Sequence, residues 1–135
     1  TPPSQDEGIG IGDPVGGLLA VKSRLVLHRN PTVALALAGS VLDRPAAALV
    51  WWAVRHLLDA GYTLAAAGDA RAEEAVRRAL ALLEGKRLDL LLMEAGLLAG
   101  RLGIEPAAAE KGLKLLDGFE HTLGSPEGFR SRWLE

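Results

Sequence analysis

Apolar residues recur at helical spacing through most of this chain. Ala and Leu dominate four segments, each followed by Gly or a Gly-containing turn: 45–60, 70–84, 87–102 and 106–123. In 87–102 the apolar positions lie three and four residues apart for about four turns, without β-branched residues, which is typical of an amphipathic helix. The pattern predicts an all-α protein, a compact bundle of five to seven helices formed by one domain over 15–135.

Turn and capping residues predict where the central helices begin and end. Asp43 is a good N-cap and Pro45 suits a first helical turn, so we expect the third helix to start there and to end at Gly61. Asp69 is expected to cap the next helix. The 70–84 segment then directs Val76, Ala79, Leu80 and Leu83 to the core.

The beginning of the chain predicts a tail followed by two helices. Residues 1–14 are rich in Pro, Gly and acidic residues, and we expect a flexible tail or linker. In the first helix Leu18, Val21 and Leu25 share an apolar side, and Asn30-Pro31 ends it. Thr32 is expected to cap the second helix. At the other end, Pro126 predicts a last short helix that places Phe129 and Trp133 on the core.

A spacing of 34 residues relates several positions of the second half of the chain: Leu57/Leu91, Leu58/Leu92, Leu64/Leu98, Ala75/Ala109 and Leu82/Leu116. Over roughly 55–123 the chain therefore resembles tetratricopeptide-like repeats. The resemblance implies two successive pairs of antiparallel helices.

An α/β fold is the alternative. The apolar runs 33–40, 62–69 and 88–95 are also compatible with buried parallel strands, because such strands read as continuous apolar runs. Gly39, Gly68 and Gly96 would then mark the strand ends, with a ligand-binding or enzymatic site beside them.

Composition narrows the candidate chemistry. The chain has 135 residues, a formal net charge of -2 and no Cys, which excludes disulfides and thiolate chemistry. His28, His56 and His121 are isolated, so we predict no metal site, no cofactor and no catalytic residues. The longest charge-free stretches are too short to span a bilayer, and we expect a cytoplasmic protein without a membrane partner. The abundance of Ala, Leu and Arg is typical of a bacterial protein.

Two adjacent tryptophans indicate an interaction surface. Neighbours on a helix point about 100° apart, so a single core contact does not readily bury both Trp51 and Trp52. Arg55 and His56 are polar residues on the same otherwise apolar helix. We therefore predict an interface at Trp51, Trp52, Arg55 and His56, used for self-association or for a protein partner.

The function that these observations favour is protein interaction or assembly, as an adaptor or a terminal domain of a larger protein. The α/β ligand-binding or enzymatic domain is one alternative. A helical nucleic-acid-binding module is another, and it would use the basic residues Lys22, Arg24, Arg29 and Arg44.

Overall fold

The computed structural model describes residues 12–123 of the chain, with side chains as far as Phe119. The helices are α1 (Pro14–Val26), α2 (Pro31–Asp43), α3 (Val50–Ala66), α4 (Arg71–Leu83), α5 (Asp89–Leu102) and α6 (Pro106–Leu123). No residue between 12 and 123 lies in a strand, so the all-α bundle is confirmed. Most of the predicted tail and the predicted helix with Phe129 and Trp133 lie outside the described residues.

The α/β alternative is wrong. Residues 33–40 lie within α2, most of 62–69 belongs to the end of α3, and 89–95 belong to α5. These runs are apolar because helices covered on several sides also carry apolar residues nearly all round. Gly39 and Gly96 lie inside helices, so no set of strand ends exists there to build a ligand site.

Helix α3 is the centre of the bundle and contacts α1, α2, α4 and α5, while α6 packs on α5. The main core contains Val54, Leu58, Leu64, Val76 and Leu91, each almost completely buried. A smaller cluster of Met93, Leu97 and Leu116 joins α5 to α6. Helix α3 therefore positions residues from both halves of the chain.

The start of α3 differs from the prediction. Asp43 is the last residue of α2, and Arg44 is extended (φ -84°, ψ 148°). A residue before proline avoids the helical region, so Pro45 favours ending α2 here. Arg78 donates to the carbonyl of Leu42 at 2.9 Å, which satisfies one of the free acceptors at this helix end. Helix α3 begins only at Val50.

The end of α3 also differs. Gly61 lies inside the helix, where a Cβ would come within 3.2 Å of Ala75 and 3.3 Å of Leu98, so the glycine allows α4 and α5 to approach closely. The helix ends instead at Ala66, and Gly68, two residues further on, has φ +71°. The amides of Gly68 and Asp69 donate to the carbonyls of Ala65 and Leu64, a Schellman motif.

The side of α1 that is buried is the opposite of the one that its large apolar residues predict. Gly16, Ala20 and Ser23 are buried, whereas Leu18 and Leu25 are 68% and 74% exposed. Small side chains let α1 lie close to its neighbours, and the bulky residues then remain outside.

The N-caps of the first two helices are Asp13, whose Oδ1 accepts from the amide of Gly16 at 3.1 Å, and Asn30, whose Oδ1 accepts from the amide of Val33. The predicted cap Thr32 lies inside α2, because the Asn30 side chain already satisfies the first turn and Pro31 is the first helical residue.

Helices α5 and α6 touch through their backbones at Gly96 and Gly112. A Cβ on Gly96 would lie against the carbonyl oxygen of Ala108 and 3.0 Å from the Cα of Gly112. A contact below 3.0 Å with backbone cannot be relieved by a side-chain rotation, so Gly96 is required for this spacing, and a Cβ on Gly112 would be tightly packed at 3.0 Å from the backbone of Gly96 and Leu97.

We predict that Gly96→Ala destabilises the protein by about 1–3 kcal/mol, because α6 must move away from α5. Gly118→Ala is the matched control on α6, since a Cβ there meets no described atom within 4 Å. It should be neutral or stabilise by up to about 1 kcal/mol through helix propensity. Urea denaturation measures both. Equal stability of the two variants would contradict the backbone contact.

A second prediction concerns two leucines of α5. Leu98 is only 8% exposed and belongs to the core, whereas Leu92 is half-buried at its edge. Leu98→Ala should cost about 2–5 kcal/mol, as expected for a buried leucine. Leu92→Ala should cost clearly less, and thermal denaturation followed by circular dichroism gives the comparison. A larger loss of stability for Leu92→Ala than for Leu98→Ala would mean that α5 is rotated about its axis.

Candidate functional site

The Trp51 and Trp52 side chains, here called the tryptophan pair, are 40% and 41% exposed at the start of α3. Their rings meet edge to face with centroids 4.6 Å apart. The Trp52 indole is so close to Gly12 that a Cβ there would be 3.6 Å from its ring. The pair therefore lies beside the start of α1 and remains accessible to another molecule.

The other two predicted interface residues lie beneath this surface. His56 is 6% exposed, its ring is 6.1 Å from that of Trp52, and its Nε2 would be 2.9 Å from a Cβ on Gly17. The Arg55 side chain is 22% exposed and is held by two carboxylates. His56 therefore supports Trp52 from inside, whereas the Arg55 side chain is held by Asp59 and Glu94.

A second exposed apolar surface was not predicted as such. Val15, Leu18, Val21 and Leu25 lie on the outward side of α1, between 47% and 74% exposed, and are here called the α1 outer face. Their spacing of three and four residues puts them on one stripe. The sequence contains a signal for this arrangement, because Gly16, Ala20 and Ser23 form a complementary stripe of small residues.

Four charged residues from three helices form a buried ion-pair cluster: Arg24 of α1, Arg55 and Asp59 of α3, and Glu94 of α5. Asp59 Oδ1 accepts from Arg24 at 2.7 Å and from Arg55 at 3.2 Å, and Arg55 also donates to Glu94. Both carboxylates are less than 10% exposed. Sequence reasoning found only the Arg55–Asp59 pair, because the other partners are 35 and 39 residues apart.

The cluster alters the acidity of Glu94. Burial raises the pKa of Glu94 above its usual 4.5, and the nearby Asp59 adds to this, while the charge and hydrogen bond of Arg55 oppose it. A carboxylate this strongly buried needs its arginine, since an unpaired buried charge is costly. Arg55 is therefore the residue that holds α3 and α5 together electrostatically.

The predicted nucleic-acid residues do not form one free basic patch. Arg24 is paired with Asp59, and Arg44 is paired with the buried Asp13 at 2.6 Å. Burial alone would raise the pKa of Asp13, but the hydrogen bonds from Arg44 and from the Gly16 amide outweigh it, so that pKa lies below 3.8. Lys22 and Arg29 are exposed, and neither makes an ion pair to a residue within 12–123.

Neither a metal centre nor a membrane span is found in the part of the chain that the structure describes. No three His, Asp or Glu side chains there are grouped as metal ligands would be. None of the described helices combines the length and the apolar character needed to cross a bilayer.

Comparison of the chain with protein-family models, with curated proteins and with solved structures gives no match. The features of the described residues that bear on function are the two exposed apolar surfaces and the ion-pair cluster.

We predict that neutral His56 stabilises the fold. Burial lowers the pKa of His56 below 6.5; Asp13 and Asp59 oppose the shift, and Arg44 and Arg55 add to it. As the pH falls below 6.5 the unfolded chain takes up the proton first. The stabilisation is therefore complete above pH 6.5 and is lost as the pH falls through the lower folded pKa.

The measurement compares wild type with His56→Asn, because the asparagine side chain does not titrate there. The difference in free energy of unfolding should shrink when the pH is lowered from about 8 to about 5. The other histidines are the same in both proteins and cancel from the difference. A difference that stays constant with pH would show that His56 is not shielded from protonation.

Proposed function

We propose that this domain is a protein-interaction or assembly module, acting as an adaptor or as a terminal domain of a larger protein. The observation that carries the proposal is the α1 outer face, on which two leucines are more than two-thirds exposed. Fully burying one leucine side chain contributes about 1.5–3 kcal/mol. A row of four such side chains on one helix is a surface that a second polypeptide can cover.

The tryptophan pair supports the same proposal. Exposed Trp side chains supply large contact areas and are frequent anchors of interfaces. Trp52 lies beside Gly12 and His56, so the pair is pre-positioned and loses little side-chain freedom on binding. We propose that Trp51 and Trp52 contact a partner directly and that His56 positions Trp52.

The helix arrangement is compatible with a module built from helix pairs. α3 packs on α4, and α5 packs on α6, each with its successor in the chain. This supports the proposed likeness to tetratricopeptide-like pairs. Helical recognition of this kind usually lays the apolar face of one helix into an apolar groove of the other protein.

The test uses a fluorescein-labelled amphipathic peptide of about four helical turns, with Leu on its apolar face and Gln on its polar face. Wild type should bind it, and light scattering should show whether the wild-type protein also associates with itself. The double variant Leu18→Ser with Leu25→Ser should lose about tenfold or more in affinity, because two exposed leucines no longer contribute.

Leu113→Ser is the matched control, since Leu113 is a 43% exposed leucine on α6, outside the α1 outer face. It should bind as wild type does, and circular dichroism should show intact helices in all variants. A wild-type protein that stays monomeric at high concentration and has no affinity for the peptide would refute the interaction module.

A further inference from the structure

Tyr62 of α3 lies where two depressions of the surface meet. On one side is a narrow cleft of about 30 Å³, bordered by Arg24, Arg55, Glu94, Leu97 and Arg101. On the other side is an open groove of about 390 Å³, bordered by Val21, Leu25, Leu27 and His28. Arg24 and Tyr62 border both, so the cleft and the groove adjoin at these two side chains, and Asp59, the ion-pair partner of Arg24, also borders the groove.

The cleft presents unused hydrogen-bond donors. Arg24 has its guanidinium carbon 4.3 Å from the centre of the Tyr62 ring, and that of Arg101 is 5.7 Å away. Arg24 gives one nitrogen to Asp59, and Arg101 makes no ion pair with any residue described in the structure. Because a guanidinium has five N–H donors, several of them remain for a ligand.

The charge of the cleft is unbalanced. Three arginines face two carboxylates, and both carboxylates are held by Arg55 and Arg24. Arg101 thus adds a positive charge that pairs with no carboxylate among the described residues, and the exposed Lys22 is next in the chain to Val21, which borders the groove. An anionic group is the complementary occupant.

The size of the cleft and the residues that line the groove indicate which class of molecule carries that anionic group. The cleft has room for a small group such as a carboxylate and not for a whole ligand. The groove beside it combines apolar residues, among them Val21 and Leu25 of the α1 outer face, with the charged pair Arg24 and Asp59. A nucleic acid would place phosphates along Val21, Leu25 and Asp59, whereas a peptide offers apolar and acidic side chains alternately.

We propose that this site binds an acidic, apolar segment of a partner protein. A Glu or Asp side chain of that segment enters the cleft and accepts hydrogen bonds from Arg24 and Arg101, and the neighbouring apolar side chains lie in the groove along α1. The proposal rests on the proposed interaction function and specifies the chemistry of the partner.

The experiment compares two forms of the amphipathic peptide, one with Glu and one with Gln on the polar face, by fluorescence anisotropy. Wild type should bind the Glu form about tenfold or more tightly than the Gln form, because hydrogen bonds to a charged group are stronger than those to a neutral amide. Arg101→Gln should remove most of that preference and leave only the part that Arg24 contributes. Added salt should weaken only the Glu form, because an ion pair at an exposed entrance is screened.

Arg87→Gln is the matched control, because it removes the same charge from an exposed arginine outside the cleft. It should keep the full preference for Glu. Equal binding of the two peptides would overturn the proposed carboxylate site in the cleft but leave the proposed interaction function in place. Binding of neither peptide would refute both proposals. Stronger binding to a single-stranded DNA oligonucleotide or to anionic phospholipid vesicles than to the Glu peptide would also overturn the proposal.

Discussion

The close approach of α1 to α3 decides which parts of this molecule face solvent. Gly17, Ala20 and Ser23 let the two helices meet, and the hydroxyls of Ser23 and Thr63 lie 2.9 Å apart in the buried contact. Ser23 Oγ also lies 2.6 Å from the carbonyl oxygen of Ala20 and Thr63 Oγ1 3.3 Å from that of Asp59, so each hydroxyl has a backbone acceptor as well as the other hydroxyl. Since small residues occupy this side, the large apolar residues of α1 have no place inside.

A single buried pair, Asp13–Arg44, explains why the chain between α2 and α3 is not helical. Asp13 caps α1 and also accepts two hydrogen bonds from Arg44, at 2.6 and 3.0 Å. Arg44 is thereby tied to the start of α1 and kept extended before Pro45. The same pair lies close to His56, so the start of α1, the end of α2 and the support of the tryptophan pair depend on one another electrostatically.

What was predictable followed from local patterns. The amphipathic periods of α4, α5 and α6 and the glycines that follow α4 and α5 are local signals, and they predicted these helices correctly.

The start of α3 was not predictable, because Asp43-Arg44-Pro45 suits a helix start as well as a helix end, and the decisive partner of Arg44 is 31 residues away. The buried face of α1 was predicted wrongly for a related reason, since helical spacing shows that two stripes exist but not which one is buried. The tryptophan pair was found because two large adjacent rings on one helix are a local signal too.

The ion-pair cluster connects the proposed binding site to the core. Replacing buried ion pairs with apolar residues is often neutral or stabilising, so stability alone does not explain four charged residues between α1, α3 and α5. Arg24 provides a different reason, because it contacts Asp59 in the core and also borders the cleft and the groove. A partner carboxylate would accept from the N–H donors of Arg24 that Asp59 leaves free. The same guanidinium would then contact both the partner and Asp59, and Asp59 in turn accepts from Arg55, which pairs with Glu94 of α5.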